Sequence, residues 1–151
     1  MNPIEAFSES LLGLHALAHQ APPDRLLGDA LSQFRRLVPF DVGWWGECSA
    51  ARPDASPANW QHGSLGLPVS FAHEWNAIGR RDDFAHRSMA SLGEVCRVSG
   101  YDDEAPEVER FSRRHGLFHA MALTADLAGS GLMFFVSLYR REQRRAFDDH
   151  E

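Results

Sequence analysis

Apolar residues recur at intervals of three and four near the start of the chain, which is the spacing of an amphipathic helix. The first stripe consists of Phe7, Leu11, Leu14 and Ala18. This helix must end at Pro22-Pro23, because proline cannot continue a helix interior. Asp24 is predicted to be the N-cap of a second helix, which carries its own apolar face and ends at Pro39. Residues 1–40 are therefore expected to form a helical hairpin.

Several segments after this hairpin have the composition and the boundaries of β-strands. They are Val42 to Cys48, "NWQHGSL", "GEVCRVSG", "LFHAMALTADL" and "GLMFFVSLYR". Between them, "PVSFAHEWNAIGRR" and "APEVERFSRRHG" have helical spacing, and Gly116 is placed to end the second of these helices. The segment "REQRRAFDDHE" is predicted to begin a final helix. The order of elements predicts an α+β fold with a roughly five-stranded, mainly antiparallel sheet.

The last predicted strand has apolar side chains on both of its faces. Alternation places Leu132, Phe134, Val136 and Leu138 on one face, and Met133, Phe135, Ser137 and Tyr139 on the other. A strand of this kind is central and covered on both sides. Trp44 and Trp45 are adjacent on the first strand, so they are expected to serve opposite sides of the same sheet. We expect the terminal helices to cover one side and the Trp75 helix the other.

Composition and charge exclude several classes of function. The 151 residues suit one domain, and the net charge of −6 gives no basic surface for phosphate contacts. The chain has no lysine, which excludes a Schiff base and a P-loop lysine. No apolar run has the length of a membrane span, and the first residues lack the pattern of a secretion signal. The chain is therefore predicted to be cytoplasmic and not to contact membranes.

Two segments carry a resemblance to a known family. They are "LVPFD…WWG", from Leu37 to Gly46, and "SLYR…R.F…E", from Ser137 to Glu151. With the order of elements, they make the chain similar to the GAF/PAS-like sensor domain that forms the N-terminal half of LuxR-type transcriptional regulators. The resemblance implies a small-molecule signal, a homodimer and a helix-turn-helix domain that follows the last sensor helix. That DNA-binding domain is expected to be absent from this chain. Contact with DNA is therefore expected only through the missing domain.

The resemblance also bears on the ligand. Receptors of acyl-homoserine lactones in this family use a tryptophan on a helix and a later Asp-Pro to hydrogen-bond the ligand. Trp75 matches the tryptophan, but Gly79 stands where a tyrosine is expected four positions later, and Asp82-Asp83-Phe84 replaces Asp-Pro at a shorter distance. These departures favour a different small apolar or amphipathic molecule. The residues predicted to line its site are Phe71, Trp75, Phe84, one of Trp44 or Trp45, and Asp82 or Asp83 as the polar anchor. Plain core packing is the alternative role of Trp75.

Other polar groups are weaker candidates for chemistry. His115 and His119 have a spacing that binds metal on a helix, but Gly116 should end the helix between them. Cys48 and Cys96 are expected to be reduced and buried, without a disulfide. We expect no metal, no cofactor and no catalytic residue, because no motif for any of them is present. A dimerisation module without a ligand is the alternative function, and an enzyme of unknown class is the third.

Overall fold

A computed structural model describes residues 2–49, 58–101, 104–128, 130–149 and 151, apart from the side chains of Pro3, Ala58, Trp60 and Gln61. The described chain divides into two units. One unit is Met1–Phe40 with Asp149–Glu151, and the other is Asp41–Asp148. None of the described helices is both long and apolar enough to cross a membrane.

The first unit contains the predicted pair of helices, α1 (Pro3–Gln20) and α2 (Pro23–Phe34). A capping box starts α1, in which the Asn2 side chain accepts from the backbone of Ile4 and the Glu5 carboxylate accepts from the backbone of Asn2. The predicted N-cap of α2 is wrong: Pro22 holds that position and Asp24 lies in the first turn. Proline suits the first turn of a helix, so Pro23 starts the helix earlier than the Asp24 signal suggested.

The second unit contains a five-stranded antiparallel sheet, as predicted. Its strands are β1 (Val42–Ser49), β2 (Ala58–Leu65), β3 (Val95–Ser99), β4 (His119–Leu127) and β5 (Leu132–Arg140). They lie in the order β2-β1-β5-β4-β3, so β5 is central. Both faces of β5 carry buried or half-buried side chains over most of its length, which confirms the interpretation of its alternation.

Three helices complete the second unit: α3 (Phe71–Ile78), α4 (Asp83–Ala90) and α5 (Pro106–His115). A 3-10 turn, Gly79–Arg81, joins α3 to α4. The sequence pattern did not predict α4, which begins because the Asp82 side chain accepts a hydrogen bond from the Ala85 backbone at 2.9 Å. Gly116 ends α5 as predicted, with a φ of 68° that favours glycine.

The prediction of a final helix is wrong for the described residues after β5, since 141–149 contain no helix. Buried side chains of two strands hold this segment in another conformation. His119 Nε2 lies 2.9 Å from the carbonyl oxygen of Arg144, and Arg140 Nη1 donates to the carbonyl oxygens of Arg145 and Ala146 at 3.2 Å each. These hydrogen bonds engage backbone groups that a helix needs for its own ladder. We call residues 141–148 the C-terminal segment.

Candidate functional site

One face of the sheet brings polar and aromatic side chains into a single row across four strands. Trp44 on β1 pairs with Ser137 on β5, Ser137 pairs with Ala122 on β4, and Ala122 pairs with Cys96 on β3. Residues two positions away along each strand share this face. The row therefore also includes Phe135, Tyr139 and Thr124.

A cavity lies between this face and helices α3 and α4. Its volume is about 40 Å³, on a scale where one ordered water needs roughly 10–15 Å³. Aromatic side chains form much of its wall: Trp44, Trp75, Phe84, Phe135 and Tyr139. The remaining lining residues are Cys48, Asn59, Asp82, Ala85, Ser88, Met89, Ala122, Thr124 and Ser137. We call this space the main cavity because it lies against the central strands; a larger and more open groove of about 380 Å³ lies between α5 and the C-terminal segment.

Trp75 and Asp82 form a hydrogen-bonded pair in the wall of the main cavity. Trp75 Nε1 donates to Asp82 Oδ2 at 2.8 Å, while Asp82 Oδ1 caps α4. The indole packs on Gly79, where a Cβ would lie 2.8 Å from the ring. Burial raises the pKa of Asp82, against the opposing effects of its hydrogen bonds from Ala85 and Trp75 and the charge of His86. The pair thus fixes the turn between α3 and α4.

The other polar groups of the main cavity are mostly paired with one another. Trp44 Nε1 donates to the hydroxyl of Tyr139 at 3.1 Å, and the hydroxyls of Ser88 and Thr124 lie 2.8 Å apart. Burial raises the pKa of Tyr139, so its phenol stays protonated at neutral pH. These pairs hold the wall in place without a ligand.

A second, smaller cavity of about 20 Å³ adjoins the main one. The two share four lining residues: Trp75, Asp82, Phe84 and Tyr139. Glu104 lies in the wall of the second cavity, where burial raises the pKa of its carboxyl to about 7. The Ser112 hydroxyl is 3.5 Å from Glu104 Oε1, and Glu104 Oε2 has no hydrogen-bond partner among the described residues.

The structure distributes the predicted site residues unevenly. Trp44, Trp75, Asp82 and Phe84 line the main cavity. Phe71 is almost fully buried behind the wall, with its ring 5.1 Å from that of Trp44, and does not line the cavity. That any of these residues contacts a ligand stays a prediction.

Two of the predicted residues lie elsewhere. Trp45 is on the opposite face of the sheet, where it pairs with Val136 and Gly63, because neighbouring strand residues point to opposite faces. Asp83 is exposed in the first turn of α4, since Asp82 takes the capping position. Of the two pairs of alternatives, Trp44 and Asp82 line the main cavity, and Trp45 and Asp83 do not.

Several lining residues were missed by the sequence analysis. Ser88 and Met89 lie on α4, which was not predicted, and Glu104 follows a run of acidic residues that gave no signal. Tyr139 could have been found, because alternation already placed it on the same face as Phe135 and Ser137. Thr124 is on the matching face of β4 by strand pairing.

The two candidate metal ligands have separate partners. His115 Nε2 lies 3.2 Å from Glu74 Oε2 on α3, whereas His119 is in β4, with its Nδ1 atom 2.9 Å from the hydroxyl of Ser99. No group of three or more His, Cys, Asp or Glu suited to a metal occurs in the described part of the chain. Cys48 and Cys96 are both free, and burial raises the pKa of the Cys48 thiol to about 11.

Comparisons with known proteins identify the fold. No protein-family model matches the chain, and neither does any curated protein. Among solved structures, the chain is similar to CepR2 from Burkholderia cenocepacia, described as an N-acylhomoserine lactone dependent LuxR family transcription factor. The TM-score is 0.66 at 13% identity, over 93% of this chain and 83% of that one.

Escherichia coli SdiA is also similar. In a crystal structure, the TM-score is 0.66 at 14% identity, over 95% of this chain and 59% of the SdiA chain. In a solution structure of SdiA residues 1–171, it is 0.61 at 18% identity, over 99% of this chain and 87% of that one. The α+β fold of this chain is therefore similar to that of CepR2 and of SdiA.

Proposed function

We propose that this chain is the signal-sensing domain of a LuxR-type transcriptional regulator and that it binds a small apolar or amphipathic molecule in the main cavity. The observation that carries this proposal is an aromatic-walled cavity between the sheet and α3–α4. Apolar walls with a few fixed polar groups are the usual form of a small-molecule site. The fold shared with CepR2, which is described as dependent on an acylhomoserine lactone, supports the same function.

The proposed mechanism uses the cavity wall as the sensing element. A ligand that contacts Phe135, Ser137 and Tyr139 touches the central strand, and that strand leads directly into the C-terminal segment. Ligand occupancy would then change the stability of the strand and of the segment after it. A helix-turn-helix domain outside this chain would receive that change. No catalytic step is part of this function.

The proposed assembly is a cytoplasmic homodimer. Helix α1 exposes large apolar side chains on its surface: Ile4 at 73%, Phe7 at 55%, Leu11 at 50% and Leu12 at 71%. An apolar surface of this kind is typical of an association site. Two copies that associate through the same surface would form the two-fold arrangement common in homodimers.

Native mass spectrometry of freshly purified protein tests the sensing function. We expect a retained small molecule that is lost on denaturation. The variant Ala122→Leu fills the main cavity and should abolish retention, whereas Ala90→Leu, at an exposed position of α4, should not. Circular dichroism must show that both variants are folded. Retention unchanged in folded Ala122→Leu, or no retained molecule in any sample, would favour a dimerisation module without a ligand.

A further inference from the structure

The two adjoining cavities have an unbalanced set of charges. Among the described lining residues, the groups that can carry a full charge at neutral pH are the carboxyls of Asp82 and Glu104. No arginine or histidine lines either cavity in the part of the chain that the structure describes. An anionic ligand would meet these carboxyls with no opposite charge on the wall, which is strongly unfavourable in a desolvated site.

The two indole N–H groups of the wall are already donated within it. The indole N–H of Trp75 is donated to Asp82, and that of Trp44 is donated to Tyr139. The hydroxyls of Ser88 and Thr124 bond to each other. A carboxylate has room for about four hydrogen bonds, so Asp82 retains capacity to accept. The Asp82 carboxylate can therefore accept a further hydrogen bond from a ligand.

Aromatic rings are the second feature of the main cavity that suits a positively charged ligand. Trp44 lies 5.3 Å from Trp75 and 4.7 Å from Phe135 between ring centroids, with interplanar angles of 63° and 64°. Each pair is an edge-to-face contact, and all three rings line the main cavity. Phe84 and Tyr139 add further aromatic surface to the same cavity. Aromatic faces attract cations, and aromatic cages bind quaternary ammonium groups.

We propose that the molecule bound in the main cavity is an organic cation, an amine or a quaternary ammonium compound, whose charged group lies among the aromatic rings beside Asp82. This inference rests on the proposed function of the main cavity as a ligand site. It adds the chemical class of the ligand. Apolar substituents of the cation would extend along the aromatic and methionine surface, and Glu104 lines the adjoining second cavity.

Choline and its neutral isostere 3,3-dimethyl-1-butanol provide a direct test, because they have the same shape and differ in charge. Both are titrated into the full chain, first freed of any retained molecule, and followed by tryptophan fluorescence and calorimetry. We expect choline to bind about tenfold more tightly than the isostere, a difference in the range of a desolvated cation–aromatic contact. The anion 3,3-dimethylbutanoate should not bind.

Variants locate the charge preference at one carboxyl. Asp82→Asn should bring the affinities for choline and the isostere close to each other, with little change for the isostere. Asp83→Asn removes the neighbouring exposed carboxyl and should leave the tenfold preference intact. Thermal unfolding of each variant is measured in parallel. Asp82→Asn is expected to fold, because an asparagine can still accept a hydrogen bond from Ala85 or Trp75. Glu104→Gln is the second variant. It should weaken choline binding by a smaller factor than Asp82→Asn does.

Three outcomes would overturn the cationic ligand. They are equal affinity for choline and the isostere, binding of neither, and a choline preference that survives in folded Asp82→Asn. The proposed sensing function fails separately, when native mass spectrometry finds no retained molecule and no probe binds. A retained molecule that is neutral or anionic would leave the sensing function standing and disprove the cationic class.

Discussion

Trp75 has two roles that a single substitution can separate: its ring packs on Gly79 and its N–H bonds to Asp82. The sequence resemblance singled out Trp75, which lines the main cavity, but it could not reveal the bond to Asp82. Asp82 follows Trp75 by seven positions, and the turn that brings the two together depends on three-dimensional packing. The role of Asp82 as the cap of α4 was equally invisible, because α4 itself was not predicted.

Trp75→Phe keeps an aromatic ring and removes the N–H. We expect the free energy of unfolding to fall by about 1–3 kcal/mol, because a buried carboxylate loses a donor. Urea unfolding measures the change. Trp45→Phe, on the other face of the sheet, is the matched control, since Trp45 makes no bond to Asp82. A loss for Trp75→Phe no larger than that for Trp45→Phe would show that the hydrogen bond contributes little.

Glu104 gives a prediction about pH. Its carboxyl has a pKa of about 7 in the folded chain, raised above the value of 4.5 for a free group mainly by burial. Between these values the folded state holds a proton that the unfolded state has released. The Glu104 carboxyl therefore makes its full contribution to the free energy of unfolding below about pH 4.5. As the pH rises toward about 7, we expect the free energy of unfolding to fall by about 1–2 kcal/mol, a value that allows for the partial solvent exposure of the group.

Urea unfolding of the wild type and of Glu104→Gln at pH 5 and pH 7.5 tests whether ionisation of Glu104 lowers the stability of the fold. The variant cannot ionise, so its stability relative to the wild type should be greater at pH 7.5 than at pH 5. The comparison removes the contribution of other titrating groups, because both proteins carry them. An unchanged difference between the two pH values would mean that Glu104 ionises normally in the fold.

The elements of the sheet were the most predictable part of the structure. Alternation along β5 identified its central place and its two covered faces, because the period of a strand is written directly in the sequence. It also placed Trp44 and Trp45 on opposite faces, although the choice between them needed the strand pairing. The C-terminal segment was not predictable from its own residues: its composition suited a helix, but buried side chains on β4 and β5 bond to its backbone carbonyl groups.

Arg140 holds the C-terminal segment by contacts that leave its own side chain only 3% exposed. Its guanidinium lies 4.0 Å from the ring centroid of Phe147, in addition to its bonds to the carbonyl oxygens of Arg145 and Ala146. Arg140→Met keeps the length of the side chain and removes every donor. We expect faster amide hydrogen exchange in residues 141–148, because these backbone groups lose their anchor.

Arg141→Met is the matched control, since the Arg141 side chain is exposed and its backbone N–H, which bonds to Asp41 at 2.9 Å, is unaffected. Exchange in β1 and β5 serves as an internal reference in both variants. If exchange in 141–148 were the same in Arg140→Met as in the wild type, the carbonyl bonds of Arg140 would not be what holds this segment.

At the scale of the whole molecule, the chain carries more apolar surface on α1 than one folded unit requires. The side chains of Ile4, Phe7, Leu11 and Leu12 are each at least half exposed. Phe7 and Leu11 belong to the stripe that the sequence pattern predicted, and helical spacing places Ile4 on the same stripe. The pattern alone could not show that this stripe is exposed, since a core-facing stripe has the same period.

We expect the chain to form a homodimer in which this stripe is buried. Leu11→Glu places a charge in the centre of the stripe, and desolvating that charge without a partner is costly. Light scattering over a range of concentrations should show a dimer for the wild type. For Leu11→Glu, we expect the dimer dissociation constant to rise by about tenfold or more. Gln20→Glu adds the same charge at an exposed position outside the stripe and should not change the dimer. A wild type that stays monomeric at high concentration, or a Leu11→Glu variant that dimerises as well as Gln20→Glu, would exclude α1 as the interface and leave its apolar stripe to another partner.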